Sequence, residues 1–330
     1  MAHAYSEDQL VEQPAITLLA ELGWQTVSAM EEVFGPHGTL GRETKAESFL
    51  VPRLRTALER LNPSIPPEAI SGAIDQLIRD RSVMSLVAAN REVYGLLKEG
   101  IPVFALDTKG GGQKTKRVRV IDWENPAAND FLLVHQFSVT GALYTRRPDL
   151  VGFVNGLPIV VIELKKPGVP AQHAFDDNLT CYKADIPQLF WFNGLMIASN
   201  GTESRVGSLT ADWERFFEWK RIEREDEPRR VSLEVMLRGT CAPTRLLDLL
   251  ENFTLFSEQQ GRAGESVGAE PSVPWGEQRY YCHADCKEAG PWTWRCVLAD
   301  AGFWQKSRDG VLRTEDPTEG SWQLDSCGGD

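Results

Sequence analysis

Residues 147–167 read RPDLVGFVNGLPIVVIELKKP, and they predict two strands joined by a tight turn. Asn155-Gly156 is a strong β-turn signal, and the β-branched and aromatic residues on either side of it favour strands. The unbroken apolar run 159–162 indicates a strand that is buried on both faces. Because helical periodicity dominates residues 1–100 and mixed strands and helices follow, the predicted fold class is α/β. We expect a central mixed sheet flanked by helices, after a helical N-terminal segment.

The remaining elements are predicted from hydrophobic periodicity and from helix start and stop signals. A capping box, Ser6 with Gln9, indicates that a helix begins near the N-terminus. Further helices are expected over residues 46–61, 67–79, 86–98, 171–184 and 244–256, and further strands over 117–121, 131–139 and 195–199.

Composition and charge exclude several classes of protein. The chain has 330 residues, 42% of them hydrophobic, which is too apolar for an intrinsically disordered protein. Its net charge of −12 argues against a protein that coats nucleic acid by charge alone, although a local basic site remains possible. The longest apolar run, 157–164, is too short to span a bilayer, and the N-terminus has no signal-peptide pattern. We therefore expect a cytoplasmic protein without a membrane partner.

The second predicted strand ends in two charged residues, Glu163 and Lys165, whose side chains point to the same side of a strand. Buried charge is costly without a partner, so these residues need an ion or each other. Asp149, at the start of the preceding strand, could supply a second carboxylate. Two carboxylates and a lysine at a sheet end are suited to Mg²⁺, whose bound water can act as a nucleophile. The alternative is a solvated strand end with an incidental ion pair.

The register of the two strands decides whether this site can form. If residues 155–156 make a plain two-residue hairpin loop, Asp149 pairs with Ile162, and Asp149 and Glu163 face opposite sides of the sheet. A three-residue loop or one β-bulge instead places Asp149 opposite Glu163. We predict the second arrangement.

These residues carry a resemblance to a known family. Asp149, Glu163 and Lys165, with Pro148, match the PD-(D/E)xK nuclease motif. The surroundings resemble the N-terminal nuclease region of the R (restriction) subunit of type I restriction enzymes, over about residues 5–260. The segments that carry the resemblance are RETK at 42–45, VPRLR at 51–55, RVRVID at 117–122, residues 152–167, PQLFWFN at 187–193 and IASNG at 197–201.

The resemblance implies a role for each matching residue. Asp149 and Glu163 would be Mg²⁺ ligands, and Lys165 would be the activating cation. Related nucleases use a Q-x-x-x-Y element on the next helix. Asn178 and Tyr182 have that spacing here, with the shorter amide of Asn in place of Gln. Tyr182 is the candidate nucleic-acid-binding residue. Some relatives place a metal-assisting Glu on the first helix.

For that last role the chain offers two candidates, Glu7 and Glu12. The sequence does not choose between them. For both residues we favour a solvated helix face.

The function that the resemblance implies is Mg²⁺-dependent hydrolysis of DNA phosphodiesters. The expected partners are double-stranded DNA and the methyltransferase and specificity subunits of a type I complex. The family's nuclease region leads into an ATP-hydrolysing motor, but GGGQKT at 110–115 departs from the phosphate-binding loop pattern, so no ATP binding is expected. Arg146, Arg147 and Lys166 could contact backbone phosphates, or could be solvated charges. The alternative function is an inactive fragment, or an assembly module that contacts the methyltransferase without cutting DNA.

The last part of the chain has a different composition. We expect a nuclease domain over residues 1–255, with a helical part to residue 100 and an α/β catalytic core over 101–255. We expect residues 256–330 to form a poorly ordered tail rich in Trp and Cys, a composition that would be explained by truncation before the motor. Cys282, His283, Cys286 and Cys296 fit the usual zinc spacings poorly, so an unpatterned tail is favoured over a zinc site.

Overall fold

The computed structural model describes residues 8–106, 113–222 and 227–258, together with short strands between residues 276 and 323. Seven α-helices lie in these ranges: α1 (Gln13–Glu21), α2 (Val51–Leu61), α3 (Pro67–Ile78), α4 (Leu86–Glu99), α5 (Thr180–Asp185), α6 (Ser232–Thr240) and α7 (Pro243–Asn252). A π-helical segment precedes α1 (Asp8–Glu12), and another precedes α5 (Ala174–Leu179).

Most of the strands in the described residues lie between α4 and α6. In chain order, the strands are β1 (Gln25–Ser28), β2 (Ile101–Leu106), β3 (Gln113–Val118), β4 (Phe131–His135), β5 (Val139–Thr140), β6 (Thr145–Arg146), β7 (Leu150–Val154), β8 (Leu157–Leu164), β9 (Leu195–Ser199), β10 (Ser204–Gly207) and β11 (Thr254–Glu258). Beyond them lie β12 (Gly276–Tyr280), β13 (Arg295–Leu298), β14 (Gly302–Lys306), β15 (Leu312–Glu315) and β16 (Trp322–Gln323).

Six strands form one mixed sheet in the order β1-β4-β7-β8-β9-β10. β1 runs parallel to β4 and β8 runs parallel to β9, whereas the other neighbours are antiparallel. β8 lies inside the sheet, and all of its residues are buried. An apolar strand needs such a place, because both of its faces must be covered. This confirms the prediction of an α/β fold with a mixed sheet between helices.

Each face of the sheet has its own hydrophobic core. One core joins the sheet to α1–α4, α6 and α7, and the other joins it to residues 174–190 and the long loop 29–50. The chain is therefore layered, with the sheet in the middle. Among the described residues, no helix is both long enough and apolar enough to cross a bilayer.

Several predicted elements differ from the structure at their ends. The helix expected over 46–61 begins only at Val51, with a proline in its first turn, where the missing N–H costs nothing. The helix expected over 171–184 is π-helical over Ala174–Leu179 before α5 begins. The strand expected over 117–121 ends at Val118. Ser6 of the expected capping box lies outside the described residues.

One strand was not predicted at all. β1 lies within residues 1–100, which were expected to be helical, and it pairs with β4 at one edge of the central sheet. The helical part and the α/β core therefore share one sheet. Cys282, His283 and Cys286 lie outside the described residues, as does the side chain of Cys296, so the zinc alternative stays a prediction.

Candidate active site

The site begins with the turn between β7 and β8. Asn155 and Gly156 both have positive φ, 51° and 80°, as a tight hairpin turn of this type requires. Asn155 is completely buried: its Nδ2 donates to the Val120 carbonyl oxygen at 2.8 Å and to Asn129 Oδ1 at 2.9 Å. Its Oδ1 accepts the backbone N–H of Asp130 at 2.8 Å. These bonds hold the turn in place inside the fold.

A β-bulge in β8 then changes the register. Val154 pairs with Leu157 and Phe153 pairs with Pro158, but Gly152 pairs with Val160. Ile159 therefore has no pairing partner in β7. Pro158 suits this position because it cannot donate a ladder hydrogen bond, and proline in strands is found at bulges. The predicted arrangement, in which a three-residue loop or one bulge places Asp149 opposite Glu163, is confirmed, and the bulge is what produces it.

The bulge also changes which face of the sheet each side chain meets. Ile159 and Val160 are neighbours in β8, yet both pack in the core beneath α1–α4. After the bulge, Val161 packs in the opposite core, together with Tyr182. Glu163 follows Val161 by two residues and faces the same side. Without the extra residue, Glu163 would point into the other core.

Asp149 and Glu163 therefore lie side by side, one residue beyond the last paired residues Leu150 and Ile162. Asp149 Oδ2 accepts the N–H of Leu164 at 2.8 Å, and Glu163 Oε2 accepts the N–H of Asp149 at 3.5 Å. Glu163 is only 3% exposed. Burial raises the pKa of Glu163 well above its usual range, and the Asp149 carboxylate raises it further, while Lys165 lowers it. The site is thus a pocket of negative charge that favours a proton or a cation.

Lys165, Asn178 and Tyr182 form a hydrogen-bonded chain beside these carboxylates. Lys165 Nζ donates to Asn178 Oδ1 at 2.7 Å, and Asn178 Nδ2 donates to the Tyr182 hydroxyl at 3.1 Å. Tyr182 in turn donates to Glu163 Oε1 at 3.2 Å. Burial and the Glu163 charge raise the pKa of Tyr182, so this hydroxyl stays a neutral donor. The shorter amide of Asn178 therefore reaches both of its partners.

Glu12 also lies close to this site, contrary to the solvated helix face that we favoured for it. It is 6% exposed, and Gln136 Nε2 donates to its two carboxylate oxygens at 3.0 and 3.1 Å. The N–H of Gln136 donates to the Asp149 carbonyl oxygen at 2.7 Å, so one residue connects Glu12 to the strand end. The sequence did contain a signal: Glu12 has helical spacing with the apolar residues Ala15 and Leu19. The structure buries both of these residues. Glu7 lies outside the described residues.

The basic residues near Asp149 and Glu163 in the sequence have different environments. Arg146 forms an ion pair with Asp185, with Nη2 and Oδ2 2.6 Å apart. Arg147 and Lys166 are exposed, and Lys165 is half-buried. Arg146 would have to give up its ion pair with Asp185 before it could bind a ligand, whereas Arg147 and Lys166 lie exposed.

The donor set fits Mg²⁺. Mg²⁺ prefers oxygen ligands, needs only one or two carboxylates and keeps several of its waters. Each oxygen of Glu163 accepts one hydrogen bond and has two lone pairs, so acceptor capacity for a cation remains. Among the described residues, no group of three or more His, Cys, Asp or Glu side chains could form a closed metal cage. Asp149 and Glu163 are the two carboxylates that could hold such an ion.

The fold and the site together define a mixed α/β domain with two carboxylates and a lysine at the ends of its central strands. Residues 4–215 match the family described as the type I restriction enzyme R protein N terminus, and the chain belongs to that family.

Two relatives are much longer than the part that this chain matches. The chain is 34% identical over 268 residues to the type I restriction enzyme HindI endonuclease subunit of Haemophilus influenzae, covering 78% of this chain and 25% of that protein. It is 30% identical over 279 residues to the putative type I restriction enzyme MjaIXP endonuclease subunit of Methanocaldococcus jannaschii, covering 77% and 26%. The chain thus spans about a quarter of the length of these relatives.

Proposed function

We propose that this domain hydrolyses DNA phosphodiesters with Mg²⁺, as a PD-(D/E)xK nuclease domain of a type I restriction system. Asp149 and Glu163 would hold the metal ion, and Lys165 would stabilise negative charge on the phosphate. The observation that carries the proposal is the bulge in β8, because it brings Asp149 and Glu163 together on the face that α5 covers. Relatives whose names describe endonuclease subunits support the same class of activity.

The chain's own residues have separate tasks in this reaction. Asn178 holds the Lys165 ammonium, which is then fixed before a phosphate arrives, as electrostatic stabilisation requires. Tyr182 orients Glu163 by donating to one of its oxygens. When Mg²⁺ is bound, it supplies a Lewis acid that neutralises phosphate charge and lowers the pKa of water. Burial and the Asp149 charge raise the pKa of Glu163, because two neighbouring carboxylates are costly when both are charged. A bound cation would relieve that repulsion.

The expected partners come from the family. We propose that the domain acts on double-stranded DNA in a complex with methyltransferase and specificity subunits, and that this chain binds no ATP. A cytoplasmic location would follow from that role.

Nicking of supercoiled plasmid tests the proposal. We would compare the wild-type chain with Lys165→Ala in the presence of Mg²⁺ or Mn²⁺. The adjacent, exposed Lys166 offers a matched control, because Lys166→Ala removes the same charge one residue away. Nicking should fall by about 100-fold or more in Lys165→Ala, the size of loss found when one fixed electrostatic stabiliser is removed. Lys166→Ala should fall far less.

Two results would contradict the proposal. Metal-dependent nicking that survives Lys165→Ala would mean that another site or a contaminant cuts the DNA. No nicking by the wild-type chain with either metal ion would favour the alternative, an inactive or assembly module.

A further inference from the structure

A small hairpin, made of β5 and β6, carries an apolar tip into solvent. Its tip reads GALY over residues 141–144. Leu143 is 85% exposed and Tyr144 is 54% exposed. Two adjacent large apolar side chains in solvent are costly, and such exposure is a common mark of a binding surface.

The base of this hairpin is firmly attached to the rest of the domain. Gln188 Nε2 donates to the Thr140 carbonyl oxygen at 2.9 Å, and the N–H of Thr140 donates to the Lys45 carbonyl oxygen at 2.9 Å. Arg146 donates through Nε to Asp185 Oδ2 at 2.7 Å. The hairpin is therefore held from both of its strands.

Close packing adds to these bonds. Gly141 lies so near the Asp185 carbonyl oxygen that a Cβ at this position would overlap it. The N–H of Gly141 donates to the Tyr144 carbonyl oxygen at 2.8 Å, which closes the tip. A hairpin fixed in this way presents Leu143 and Tyr144 in a defined place.

That place is close in sequence to the proposed active site. Tyr144 precedes Asp149 by five positions in the chain, so their Cα atoms are at most about 18 Å apart. This distance corresponds to about five base-pair steps of B-DNA, at 3.4 Å each. Asp185, which anchors the hairpin, ends α5, the helix that carries Tyr182. A duplex with one phosphate at the proposed metal site would thus have base pairs up to about five steps away within reach of the tip.

The charge of this region suits the same partner. Residues 139–147 contain two arginines and no acidic residue, in a chain whose net charge is −12. Arg146 is paired with Asp185, but Arg147 is exposed. A basic side chain beside an apolar tip is the combination with which proteins hold phosphates and insert into a DNA groove.

We propose that the β5–β6 hairpin enters a groove of duplex DNA beside the cleavage site. Leu143 and Tyr144 pack on sugar and base edges, and Arg147 contacts a flanking phosphate. This inference rests on the proposed function, because it takes its substrate from it. It adds a surface that positions the DNA relative to Asp149, outside the carboxylate and lysine motif.

The test is DNA binding measured by fluorescence anisotropy on a short labelled duplex, across a series of salt concentrations. All variants are made in the full chain with Lys165→Ala, so that no cleavage is expected during the titration. The test variants are Leu143→Ser with Tyr144→Ser, and separately Arg147→Ala. The control is Val83→Ser, on the loop between α3 and α4, because Val83 is an exposed apolar residue, 96% accessible, outside the hairpin.

The double variant should bind roughly tenfold more weakly, the effect of losing apolar contact with one base. Its salt dependence should not change, because no charge is lost. Arg147→Ala should lower the salt slope by about one, as the loss of one phosphate contact does. Val83→Ser should bind as its parent does. A double variant that binds within twofold of its parent overturns the proposal, and so does a parent that binds no duplex.

Plasmid nicking separates this inference from the function on which it rests. If wild type nicks DNA and the double variant binds and nicks equally well, the hairpin proposal is wrong and the nuclease proposal stands. If binding depends on the hairpin but wild type does not nick, the hairpin contacts DNA and the nuclease proposal fails. A double variant that changes the oligomeric state, but not DNA affinity, identifies a protein interface and overturns the hairpin proposal.

Discussion

Asn155 connects the turn to the site, and Asn155→Ala measures how strongly the turn is held. The substitution leaves the Val120 carbonyl, the Asn129 amide oxygen and the Asp130 N–H without their side-chain partner. Three hydrogen bonds, two of them buried and one part-buried, at about 1 kcal/mol each sum to about 3 kcal/mol. Alanine at a φ of 51° adds about 1 kcal/mol of backbone strain. The free energy of unfolding should therefore fall by about 4 kcal/mol.

Urea unfolding of the metal-free protein measures this loss, with Asn155→Gly as the matched control. Glycine loses the same hydrogen bonds but adopts positive φ without strain, so it should cost about 3 kcal/mol. The difference between the two variants isolates the backbone contribution.

The reasoning would be refuted by a loss below about 1 kcal/mol in Asn155→Ala, since the three hydrogen bonds would then contribute nothing. It would also be refuted if the glycine variant were the less stable of the two. In that case the backbone at this position would not be the strained, left-handed one on which the register argument depends.

Two further predictions concern buried charges. Because the pKa of Glu163 is raised above its ordinary 4.5, the metal-free fold should lose stability as pH rises from that value towards the folded pKa. Glu163→Gln should remove this loss. The reasoning fails if the unfolding free energies of wild type and Glu163→Gln have the same pH dependence in EDTA from pH 4 to pH 9, a window of about five units. Arg42 has a fully buried side chain that binds Glu32, with its Nε 2.7 Å from Oε1. Arg42→Met should cost about 3–5 kcal/mol in urea unfolding, because it strands a buried carboxylate. Adding Glu32→Gln should recover part of that loss; no recovery would show that the ion pair is not the cause.

Local patterns predicted the part of the fold that depends on local chemistry. The Asn155-Gly156 turn and the buried strand β8 follow from backbone preference and from an apolar run, and both occur as expected. Pro158 is a further local signal for the bulge that the register argument did not use, since proline cannot complete a ladder. The sequence could not fix which face of the sheet Glu163 points to, because one extra residue in the strand reverses that face.

Other features had no adequate local signal. β1 is four residues long and mostly exposed, and what makes it a strand is its pairing with β4, more than 100 residues away in the chain. Gln136 adopts a positive φ and binds both Glu12 and the Asp149 backbone, a role that nothing in its sequence neighbours indicates. Contacts between distant segments decide such features.

The sequence by itself determined the chemistry of this protein: which side chains can carry charge, where strands end in carboxylates and a lysine, and the family to which these residues belong. Tertiary structure alone decided their geometry. It fixed the bulge that turns Glu163 towards Tyr182, buried Glu12 beside Gln136 and anchored the exposed hairpin at Asp185. The physical reason is that side-chain type is a local property. The direction in which a side chain points, its burial and its hydrogen-bond partners depend on how distant strands and helices pack. A shift of one residue in strand register is enough to change all three.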